Sequence, residues 1–69
     1  MNAADVTARV RRLDQLSRGI ALEISKVTTA DDPMLYVERQ AYLAGMRRLL
    51  GGVESAFLVL AKARRRLEA

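Results

Sequence analysis

From Tyr42 onward the apolar and small positions of this chain fall at Tyr42, Met46, Leu49, Val53, Ala56, Leu60, Ala63 and Leu67, alternating steps of four and three that run straight through Gly51-Gly52. A loop at the glycines would be free to reset that phase. The unbroken spacing predicts one continuous α-helix from about residue 33 to 67, with a stripe that another helix must cover. At 1.5 Å per residue such a helix is about 50 Å long. The competing arrangement makes Gly51 a helix C-cap and residues 53–68 a short third helix in a three-helix bundle.

The first half carries its own stripe. Val6, Leu13, Ile20 and Val27 recur every seven residues, and Val10, Leu16 and Ile24 fill positions three or four away. This pattern predicts an amphipathic helix over about residues 3–29, roughly 40 Å long. "TTADDP" interrupts it, and Asp32 before Pro33 is a helix-start signal: Asp caps free N–H groups, and Pro suits the first helical position. A short turn makes the two helices antiparallel. The expected fold is all-α, a two-helix hairpin forming one domain over residues 1–69.

That hairpin is thin. A chain of 69 residues buries only about 60% of its unfolded surface, and such domains usually need disulfides, metal or oligomerisation. Cysteine and histidine are both absent, which removes disulfides, the usual zinc and haem sites and nucleophile–base pairs. No cofactor is implied. The second stripe is also wider than one seam requires, because Leu43, Leu50 and Phe57 extend it on one flank. A helix apolar around most of its girth is buried on more than one side. These features favour a homodimeric four-helix bundle of coiled-coil type, or docking onto a helical partner. The candidate interface comprises Tyr42, Gly45, Met46, Leu49, Leu50, Gly52, Val53, Ala56, Phe57, Leu60 and Ala63. Within it, Gly45, Gly52, Ala56 and Ala63 form an edge where another helix can approach closely.

The formal charge is +4, and its distribution matters more than its sum. Residues 1–61 hold eight Lys/Arg against seven Asp/Glu, whereas residues 62–69 hold four against one. Asp5–Arg9 and Asp14–Arg18 sit at i, i+4 and read as a solvated face. Lys62, Arg64, Arg65 and Arg66 suit the dipole and solubility of a helix C-terminus; with Arg47 and Arg48 they are also candidate anion or nucleic-acid contacts. The nucleic-acid reading lacks interleaved aromatics for base stacking. The acids are scattered, so neither catalysis nor a small-molecule substrate is expected. The run from Leu49 to Leu60 is broken by Glu54 and is too short to span a bilayer. "MNAADVTARV" has no apolar core of a signal peptide, so the expected location is cytoplasmic.

The segment "DDPMLYVERQAYL" resembles the start of the second helix in type III secretion needle proteins, which are small helical hairpins. Asp32-Pro33, Leu35 and Gln40 carry the likeness, followed in similar register by Leu43, Met46, Leu49, Phe57, Leu60 and Leu67. "VESAFLVL" is similar to the apolar heptads of the small co-chaperones that hold needle subunits before export. The likeness covers the second half, and the basic C-terminus departs from it. It implies a non-catalytic interaction module, a co-chaperone or assembly subunit, that packs its apolar stripe on partner helices. The alternative is a dimeric helical-bundle regulator that binds nucleic acid through its arginines.

Overall fold

In a computed structural model, which describes residues 2–29 and 33–68, the chain forms two helices, α1 (Ala3–Thr29) and α2 (Tyr36–Glu68). They lie antiparallel in a rod of 51 × 15 × 14 Å. The hairpin expected from the two apolar stripes is the fold observed.

Helix α1 opens with a reciprocal cap, and α2 with one half of such a cap. At α1 the Asp5 N–H donates to Asn2 Oδ1 at 3.0 Å, the Asn2 N–H donates to Asp5 Oδ2 at 3.3 Å, and the Val6 N–H reaches the Asn2 carbonyl at 3.1 Å. Two donors that the helix itself leaves unpaired are thereby satisfied. The start of α2 differs from expectation. The Asp32 cap lies outside the described residues, and α2 begins at Tyr36, three residues after Pro33. Leu35 takes the cap position: its carbonyl accepts from the Arg39 N–H at 2.8 Å, and its N–H donates to Glu38 Oε1 at 2.9 Å. Glu38 at the third helical position does from inside the helix what Asp32 was expected to do from outside.

Helix α2 runs unbroken through Gly51-Gly52. No described residue has positive φ, so Gly51 is not the left-handed cap that a third helix requires. The three-helix alternative is therefore set aside. The Ser55 hydroxyl donates to the Gly51 carbonyl at 3.1 Å and adds a local bond beside the glycines.

The seam between the helices is narrow. Val6, Ile20 and Val27 from α1 meet Leu43, Val53 and Leu60 from α2, all buried. Val10, Leu13 and Ile24 on one side and Met46, Leu50 and Phe57 on the other are half-buried. The buried register on α2 is thus 43-46-50-53-57-60, one flank over from the stripe expected to lead, and Tyr42, Leu49 and Leu67 stay exposed. Side-chain size explains the choice. Level for level, Leu43 and Leu50 are matched by Tyr42 and Leu49, but Phe57 offers far more apolar area to α1 than Ala56, and burial free energy scales with that area. Arg39 continues the seam toward the turn, and its buried Nε has no hydrogen-bond partner among the described residues.

Candidate functional site

Two contacts define one side of the seam. Near the turn, the Tyr42 hydroxyl donates to Glu23 Oε1 at 2.9 Å. Toward the free end, Arg9, Arg12 and Leu13 from α1 and Ala56, Val59 and Leu60 from α2 line an open groove of about 540 Å³. Glu23 and Arg9 are two heptads apart on α1, and Tyr42 and Ala56 are two heptads apart on α2. Both contacts therefore lie on the same face. Midway between them stand Leu16 and Leu49, 51% and 58% exposed.

Read along the helices, this face is a second pair of heptad rows. On α1 it comprises Asp5, Arg9, Arg12, Leu16, Gly19, Glu23 and Lys26; on α2 it comprises Tyr42, Gly45, Leu49, Gly52, Ala56, Val59 and Ala63. Both rows step by four and three, as the buried seam does. The α2 row carries no charged side chain from Tyr42 to Ala63, and Val59 is 66% exposed within it. A β-carbon added at Gly19, Gly45 or Gly52 would meet nothing within 4 Å. The glycines of the small-residue edge thus are not used to bring the two helices of the hairpin together, whereas Ala56 and Ala63 are half-buried and Ala56 borders the groove with α1.

The candidate interface residues divide between two faces. Met46, Leu50, Val53, Phe57 and Leu60 line the seam within the hairpin. Tyr42, Gly45, Leu49, Gly52, Ala56 and Ala63 belong to the open rows. Leu16, counted by its spacing with Val10 and Ile24 in the α1 stripe, lies instead on the open row, 51% exposed, and sequence reasoning missed Val59, Arg9 and Glu23 as members of that face. The available signal was the four-three spacing of residues 5 to 26 on α1, hidden because most of those positions are polar.

The basic candidates do not converge. Arg47, Arg48, Lys62, Arg64, Arg65 and Arg66 are all exposed. Consecutive residues project about 100° apart, so Arg64, Arg65 and Arg66 fan around the last turn, and Arg47 and Arg48 lie about 25 Å away along the axis. The Arg65 Nε–H reaches the Ala61 carbonyl of its own helix, at 3.5 Å. Among the described residues, no helix is long and apolar enough to cross a membrane. No three His, Cys, Asp or Glu residues among them are placed to hold a metal ion.

The surface area reflects the elongated shape. The hairpin exposes 5355 Å², whereas a compact monomer of 7.7 kDa exposes about 4,300 Å². The excess, about 1,000 Å², follows from the rod shape of a single two-helix layer, 51 × 15 × 14 Å, which leaves both of its broad sides open. Fold and face together define a class: a helical hairpin with one side packed and a second heptad side left open. No family model, curated protein or solved structure matches the chain.

Proposed function

We propose that this chain is a non-catalytic protein–protein interaction module that packs its open face on the helices of a partner. One observation carries the reading: the α2 row from Tyr42 to Ala63 repeats the spacing of a buried seam without a charge, yet Leu49 and Val59 are mostly exposed. Exposed rows of this kind are covered in helical assemblies, because apolar area removed from water contributes about 25 cal/mol per Å². A co-chaperone or assembly-subunit role in a secretion-type apparatus belongs to the same proposal and rests on the resemblance of residues 31–43 and 53–60; cytoplasmic residence belongs to it as well and rests on the polar character of "MNAADVTARV". In that role the face sequesters a partner's apolar helix until assembly requires it. The dispersal of the arginines around α2 gives nucleic-acid binding no comparable surface.

The test is affinity capture from cells that express the chain, with the wild type and Leu49→Asp compared. The proposal expects a helical protein, or the chain itself, to be retained by the wild type and lost with Leu49→Asp. Retention should change little between about 50 and 200 mM salt, a range over which phosphate-driven binding falls steeply. Capture that survives Leu49→Asp but disappears with salt would overturn it.

A further inference from the structure

We infer that the occupant of the open face is a second copy of this chain, docked end-for-end about a twofold axis through the level of Leu16 and Leu49. The inference rests on the docking reading above and names its partner.

The argument lies in how the face matches its own reversal. Laid antiparallel on itself about Leu16, the α1 row sets Arg9 against the partner's Glu23 and Asp5 against the partner's Lys26. Arg12 falls against the partner's Gly19, and Leu16 against its own equivalent. Each opposite-charge pairing occurs twice by symmetry, and no like charges meet along the row. An isologous interface requires this self-complementarity of one patch.

The α2 row reverses onto itself as well. Leu49 meets its equivalent, Gly45 meets the partner's Gly52, and Tyr42 meets the partner's Ala56. Large therefore faces small, and two glycines with open space above them oppose each other on either side of the axis. The Tyr42 ring, whose hydroxyl is hydrogen-bonded to Glu23 of its own chain, comes to lie at the partner's groove of Arg9, Ala56 and Val59. The other twofold docking, about an axis parallel to the helices, sets α1 against the partner's α2. Arg9 and Glu23 then face uncharged positions, and the one opposite-charge pairing left along the rows is Lys26 with the partner's Glu38, against two such pairings in the end-for-end arrangement. The greater number of opposite-charge pairings thus favours the end-for-end arrangement.

The experiment is sedimentation equilibrium of the full chain, with Arg9→Glu and Glu23→Arg made separately and then mixed. Arg9 and Glu23 lie outside the buried seam, and far-UV circular dichroism confirms that each variant is helical. The wild type is expected to dimerise. Each variant places two like-charge pairs across its own interface, so its dissociation constant should rise about tenfold or more. An equimolar mixture restores every pair with opposite sign and should recover the wild-type constant. Orientation is read with Tyr42→Cys and Ala56→Cys: a disulfide forms only in the mixture, because each cysteine is about 20 Å from its own equivalent. A helical wild-type monomer, charge variants that dimerise like the wild type, or a mixture without the cross-link would each overturn the inference. If the monomer still captures another protein in a Leu49-dependent way, self-pairing is refuted and the docking reading stands. If it captures nothing, both fail.

Discussion

Gly51 and Gly52 are neighbours in sequence on opposite flanks of α2, and replacing each by alanine separates the stability of the hairpin from its association. Both are helical, both are exposed, and a β-carbon at either meets nothing within 4 Å. In an isolated hairpin the two substitutions are equivalent, each gaining about 1 kcal/mol of helix propensity. For a domain of this size that raises Tm by about 4–8 °C. Gly51 lies on the flank of Ala44 and Leu58, away from the open face, so Gly51→Ala should realise the full gain. Gly52 lies on the open α2 row, where the inferred dimer sets it against the partner's Gly45. A methyl group inserted there overpacks the contact by roughly 1–3 kcal/mol, which offsets or reverses the gain. Circular-dichroism melts at micromolar and submillimolar protein read both effects, because association makes Tm concentration-dependent. Gly51→Ala should raise Tm at every concentration, and Gly52→Ala should flatten the concentration dependence. Identical behaviour of the two variants would refute the placement of Gly52 at the contact. A loss of stability in Gly51→Ala would refute the continuous helix.

Three further substitutions probe the hairpin itself. Leu43→Ala removes a side chain only 3% exposed and should cost about 2–5 kcal/mol in urea unfolding, whereas Leu58→Ala, on the outer flank and 67% exposed, should stay within about 0.5 kcal/mol. Glu38→Ala removes the acceptor for the Leu35 N–H and should cost roughly 1 kcal/mol in the same measurement, while Glu38→Gln retains most of it. Arg39→Leu replaces a buried Nε that has no partner among the described residues with an apolar seam residue and should stabilise by about 1 kcal/mol; a loss would mean that the guanidinium is satisfied.

The hairpin was legible because its evidence is periodic. Val6, Leu13, Ile20 and Val27 specify the buried face of α1 by spacing alone, and the phase carried across Gly51-Gly52 specified the continuity of α2. Which α2 flank packs on α1 was not legible from spacing. The rows led by Leu43 and by Tyr42 share Met46, Val53 and Leu60 and both step by four and three, so only the bulk of Phe57 against Ala56 distinguishes them. The open face was half legible. Its α2 row is apolar and was marked as an interface, but its α1 row, Asp5 to Lys26, looks like ordinary solvated charge until Tyr42–Glu23 and the Arg9–Ala56 groove set the two rows side by side. The start of α2 was misplaced because leucine is a poor cap by type, and the capping group is Glu38 three residues later.

The central claim is that the open face is covered in the working protein, and the mass of the chain in solution tests it most directly. Sedimentation equilibrium across micromolar to submillimolar concentrations should give a species of twice 7.7 kDa for the wild type and a single-chain mass for Leu49→Asp. A wild-type chain that remains monomeric, helical and cooperatively folded across that range, with a Tm independent of concentration, would contradict the self-docked face.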